Sequence, residues 1–203
     1  MIIIMKKYVL LFILLSGCTA IEKVSEIDIN KNFPHNEIQK ISVIMFETSP
    51  QDKEKNKPDF SGSIISPEAG NILADITARE LAKWERYVVL GRRALEKDIK
   101  LKNLSQEDIS NTGNYLSLGK SLGVDAVVVG KVERFGISYK TLLSGLTVSL
   151  RNRVSFVARC IDVTTNETVW TIKIKGSSRM DNERVLASKL VAEAIKTLKT
   201  KLN

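Results

Sequence analysis

The stretch from Asp125 to Lys175 constrains the fold more than any other part of this 203-residue chain, because it reads almost entirely as β-strand. Asp125-Ala126-Val127-Val128-Val129-Gly130 is a β-branched run of the kind found in strands buried on both faces. Val154, Phe156 and Ala158 then alternate with Ser155, Val157 and Arg159, the two-residue period of a half-buried strand. Thr164-Thr165-Asn166-Glu167 interrupts with turn residues, and Val169-Trp170-Thr171-Ile172-Lys173-Ile174 returns as the second arm of a hairpin. So much strand needs another layer to cover its apolar side.

The flanking sequence supplies helices. Ser66-Pro67-Glu68 reads as a helix start, with a capping serine, proline at the first position and an acid in the first turn. Ile72, Leu73, Ile76, Ala78 and Leu81 follow at helical spacing, and the helix is expected to stop near Trp84. Further helices are expected around Ala94–Leu101 and over Gln106–Leu122, the latter closed by Gly123. A last one runs from about Asn182 to Lys201, with Leu186, Leu190, Ala194, Leu198 and Leu202 as its stripe. Ile41–Phe46 and Tyr87–Leu90 are two more strands, the first central, and residues 47–63 read as a long solvated loop. The order β-α-β-α-α-β-β-β-α predicts a single α/β domain over 40–203, a mixed sheet flanked by helices. Residues 19–39 are polar and weakly periodic and read as a flexible tether.

The N-terminus carries Lys6-Lys7, an unbroken apolar run from Tyr8 to Leu15, and Ser16-Gly17-Cys18. The run is too short to span a bilayer and has the layout of a targeting peptide. It resembles a bacterial lipoprotein signal, with an aliphatic residue and two small residues before the cysteine. That resemblance implies removal of residues 1–17 and acylation of Cys18, so that acyl chains tie the mature chain to a membrane. Thr19, which is not aspartate, implies by analogy with enteric bacteria the outer membrane, with the domain facing the periplasm. Loss of Lys6 and Lys7 takes the net charge from +8 to +6. A basic balance there suits anionic partners. No nucleic-acid motif is present. With Cys18 acylated only Cys160 remains, so no internal disulfide can form, and its apolar setting makes it a core thiol.

Four segments carry a family resemblance: Trp84–Arg92, Ala94–Ile99, Lys120-Ser121-Leu122-Gly123-Val124-Asp125 running into Ala126–Gly130, and Asp162–Trp170. In this order they resemble the CsgG/LpoB-like envelope lipoproteins, which include the curli secretion lipoprotein and activators of penicillin-binding proteins. The fold of that family is similar to the N-terminal domain of TolB. The resemblance covers about half the chain. It implies an envelope protein partner, brings no catalytic residues, and does not choose between activator and secretion roles.

Catalytic motifs fail on chemistry. Gly119-Lys120-Ser121 mimics a phosphate loop, but five residues separate Gly113 from Gly119 where four are needed, and the segment closes a helix instead of opening one. His35 is the sole histidine and has no acidic or thiol cluster beside it in sequence, so it forms neither a metal site nor a catalytic pair. Glu107-Asp108 sits where a helix begins. No enzyme activity, metal or cofactor is expected.

Two stretches are candidate contact surfaces. Arg92, Arg93, Lys97 and Lys100 cluster around one helix, as a solvated face or a docking patch. Phe135, Ile137, Tyr139 and Leu143, then Leu146, Val148 and Leu150, alternate with small or polar residues about Ser144-Gly145. Each arm is about nine residues, the length of a membrane strand. The reading is a lipid-anchored protein-binding accessory factor whose sheet edge near 135–153 meets a partner. The alternative is a ring of subunits pairing these hairpins into a secretion pore.

Overall fold

The computed structural model describes residues 21–44, 46–48, 61–63, 65–91, 95–97, 100, 114–141 and 147–203. Its strands are β1 (Glu22–Ile29), β2 (Lys40–Val43), β3 (Glu47–Thr48), β4 (Ser61–Ser63), β5 (Val88–Leu90), β6 (Ala126–Thr141), β7 (Thr147–Asp162) and β8 (Thr168–Ser178). Its longer helices are α1 (Ala69–Ala82), α2 (Tyr115–Leu122) and α3 (Glu183–Leu202). These strands form one mixed sheet ordered β1-β8-β7-β6-β2-β5, with β3 and β4 pairing on β6. The expected α/β sheet flanked by helices is what the chain forms.

The sequence explains the layers. Helices α1 and α3 cover one face, burying Ile41, Val43, Val128, Phe135, Val154, Phe156, Ala158, Cys160, Trp170 and Ile172 in one cluster. Helix α2 covers one end of the other face, over Val127, Val129, Ile161 and Val163. Both faces are therefore dry at that end, which is why Ala126–Val129 is continuously apolar. Past Val129 no described helix packs on the second face, and Lys131 and Glu133 stand exposed on β6.

Two glycines matter to the α2 contact, one for space and one for backbone conformation. A Cβ on Gly119 would lie 2.5 Å from Val163 Cγ1 and 2.8 Å from Val127 Cγ1, so α2 reaches the sheet only without a side chain there. Gly123 ends α2 in the left-handed region at φ 63°, as expected of a C-cap. Helix α3 begins where Asn182 accepts a hydrogen bond from Val185 N, and Leu186, Leu190, Ala194 and Leu198 are buried.

The structure corrects four expectations. Residues 22–29 are not tether. They form β1, antiparallel to β8 from Glu22↔Ser177 to Ile29↔Trp170, so the folded unit begins well before residue 40. Charged residues at an edge strand keep it soluble and hide its strand signal. The stretch read as a loop over 47–63 holds β3 and β4, which pair on β6 and lack apolar alternation. Strand β2 ends at Val43 instead of Phe46, although Ile44 and Phe46 remain buried. Helix α1 starts at Ala69 with Glu68 as its cap residue and no side-chain cap bond, so Ser66 contributes only its carbonyl, accepting from Ala69 N at 3.0 Å.

Candidate functional site

Strands β6 and β7 are both 16 residues long and pair from Ala126↔Asp162 to Thr141↔Thr147. The core stops partway along them. Phe135 and its partner Val154 are fully buried under the helices. Beyond them the same face continues into Ile137, Tyr139 and Leu150, which are 47%, 40% and 61% exposed. Tyr139 and Leu150 are direct cross-strand partners, so the apolar row of this hairpin projects past its cover. The β6 edge of the arm is paired by β4 at Ser138–Lys140. The β7 edge loses β8 after Asn152↔Ser178, and among the described residues nothing pairs it from Arg151 to Thr147.

The opposite face of the same end is charged. A register shift between Val132 and Arg134 leaves both Glu133 and Arg134 exposed beside Ser155. Ser155 is buried and donates to Glu133 Oε2 at 2.6 Å. Arg134, Arg153 and Lys175 surround a groove of about 590 Å³ there. Glu22 at its rim accepts from Arg151 Nη1 at 2.8 Å and from Ser177 Oγ at 3.2 Å.

The Arg151 hydrogen bond first, then that of Ser177, holds the Glu22 carboxyl below the ordinary carboxylate range. A depressed pKa means the link is present above the unfolded value and is lost as pH falls through the folded one. Protection of the first β1 amides, taken against the intrinsic exchange rate at the same pH, should therefore fall in acid, and Glu22→Gln should show that lower protection already at neutral pH. Identical protection in Glu22→Gln and the parent would remove the clamp.

The other sequence-based candidates fare differently. Lys97 and Lys100 are exposed, while Arg92 and Arg93, the other half of the basic cluster, lie outside the described residues. Leu143, Leu146 and Cys18 also lie outside them, and Val148 is placed in β7. Cys160 is fully buried, and burial pushes its thiol far up, away from reactivity. His35 sits in a short turn, its Nε2 2.8 Å from the Asn30 carbonyl. Arg86 donates to the His35 carbonyl at 3.1 Å and lies over the Trp84 and Tyr87 rings, at 5.6 and 5.8 Å. Burial raises the Tyr87 phenol, with the neighbouring Cys160 adding to it. Among the described residues no cluster of three His, Cys, Asp or Glu could hold a metal, and no helix is long and apolar enough to cross a membrane. Sequence reasoning missed the Glu22–Arg151 link and the cations around Ser155. Only the tertiary register brings these residues together.

Comparison with known proteins agrees with the fold. No curated protein matches the chain. Among solved structures, the PelC dodecamer from Paraburkholderia phytofirmans aligns with 16% identity and a TM-score of 0.53, over 88% of this chain and 98% of that one. Lipoprotein GNA1162 from Neisseria meningitidis aligns with 18% identity and a TM-score of 0.51, over 80% and 99%. The LpoB C-terminal domain from Escherichia coli aligns with 14% identity over 70% and 83%, at a TM-score of 0.41. The family described as curli production assembly/transport component CsgG matches residues 23–192, from the second residue of β1 into α3. The chain belongs to that CsgG family.

Proposed function

We propose that this protein is a lipid-anchored accessory or assembly factor of the bacterial envelope. It is held to the outer membrane by acyl chains on Cys18, faces the periplasm, and works by binding protein instead of by catalysis. The observation that carries this reading is the projecting end of the β6–β7 hairpin. Ile137, Tyr139 and Leu150 are exposed there, beside a β7 edge that no described residue pairs. A free strand edge with apolar side chains is what a partner strand docks onto.

The second reading, a ring that pairs hairpins into a pore, draws support from a solved relative of the same fold that is a dodecamer. One feature weighs against it. Strand β4 occupies the β6 edge that a neighbouring hairpin would require.

Light scattering on the native lipidated protein, extracted in mild detergent and sized on a column, separates the two. A monomer or dimer is the expected result for the accessory factor. A discrete ring-sized oligomer would replace that reading with the pore.

A further inference from the structure

We propose that the groove around Ser155 binds the phosphate of an anionic phospholipid headgroup, seating the hairpin end of the sheet on the membrane that holds Cys18. The inference rests on the lipid-anchor reading above and adds a second, non-covalent membrane contact to it.

The first argument is register. Arg134 on β6 and Lys175 on β8 each pair with Ser155 on β7, so the two residues flank it on neighbouring strands, whose backbones run about 4.8 Å from its own. Arg153 lies two residues along β7, on the same face. All three cations are exposed, and among the described residues none has a hydrogen bond or close ion pair. The nearby carboxylates do not fill the groove. Glu22 is engaged by Arg151 and Ser177, and Glu133 accepts from Ser155. Three cations without a hydrogen-bonded carboxylate, Arg153 feeling Glu22 only through space, fit an anion with several acceptor oxygens.

The second argument is reach, and it decides which anion. Only Thr19, Ala20 and Ile21 separate Cys18 from Glu22, which lines this groove. Four extended residues span about 14 Å at most. An acylated Cys18 therefore holds the groove within headgroup distance of the bilayer. Exposed Ile137, Tyr139 and Leu150 stand at the same end.

The test uses the purified lipidated protein in nanodiscs of phosphatidylcholine, with or without phosphatidylglycerol. An environment-sensitive thiol probe is placed through Leu150→Cys or, at the far end of the sheet, Thr165→Cys; Cys160 is buried and does not label. A blue shift that grows with phosphatidylglycerol at position 150 and not at 165 is expected. Removing each cation, through R134Q, R153Q and K175Q, should raise the phosphatidylglycerol fraction at half-response roughly fivefold. Equal signals in neutral and anionic discs, or a full response in the triple variant with unchanged circular dichroism, would overturn the proposal. Intact mass reports acylation separately. An unacylated chain that still distinguishes anionic from neutral discs would keep the groove and discard the anchor.

Discussion

Replacing Cys18 by serine should abolish membrane retention of the mature protein. The domain should appear in the soluble periplasmic fraction, or the chain should stay as a precursor with Lys6-Lys7 and its apolar run still attached. The effect is expected to be nearly all-or-none. Each buried methylene contributes about 0.8 kcal/mol, and two acyl chains already anchor stably, whereas one is marginal. The described residues offer no apolar helix that could substitute. The headgroup groove alone supplies a few charge contacts that salt screens, so residual pelleting in low salt should vanish at high salt. Fractionation with radiolabelled palmitate checks this in one experiment. Processed Cys18→Ser protein that pellets as the parent does, in high salt, would sink the anchor.

The same variant probes the path from anchor to fold. Only three residues lie between Cys18 and β1, where the sequence suggests a tether of some twenty. The difference is physical. In Glu22–Ile29 the residues Glu22, Lys23, Glu26 and Asp28 lie on an edge strand, where charge prevents pairing with other chains. Local pattern sees polarity, and only the pairing with β8 reveals a strand.

The central strands were legible because burial on two faces leaves no choice of residue. Val127 and Val129 meet α2, and Val128 meets the main core between the sheet and the other two helices. The stripe of α3 and the cap at Gly123 were legible for the same local reasons. Strands β3 and β4 were not, since Glu47-Thr48 and Ser61-Gly62-Ser63 join through backbone hydrogen bonds that any residue can make. The exposed hairpin row could be read from alternation, but not where its cover ends. That boundary is set by how far α1 and α3 reach, which places Phe135 inside and Ile137 outside. The cation groove was invisible for a further reason. Arg134, Arg153 and Lys175 lie on three strands, and the register shift before Arg134 breaks the two-residue period that would have placed it.

Trp170→Ala should be the most damaging single truncation in the fold. Trp170 is fully buried and heads the fully buried side chains by volume. It pairs with Ile29 on β1 and with Cys160 on β7, so it bridges the edge strand and the centre of the sheet. Removing such a side chain costs the lost transfer energy plus a cavity, about 3–5 kcal/mol. Against a total stability of roughly 5–15 kcal/mol, that brings the domain close to unfolding. With a urea slope of about 1–3 kcal/mol per molar, the midpoint should fall by well over 1 M. Trp84→Ala is the control. Trp84 is also buried, but it sits where α1 ends, with Tyr87 edge-on at 5.3 Å and Arg86 over its ring, so its neighbours can settle and the cost should be smaller. The cross-strand partner sharpens the test. If β1 belongs to the folded unit, Ile29→Ala and Trp170→Ala share a cavity, and the double variant should fall short of the sum of the singles. Strict additivity, with Ile29→Ala near zero, would mean β1 leaves the sheet in solution. The distance from anchor to groove would then be set by a loose chain, and the headgroup contact would lose its short leash.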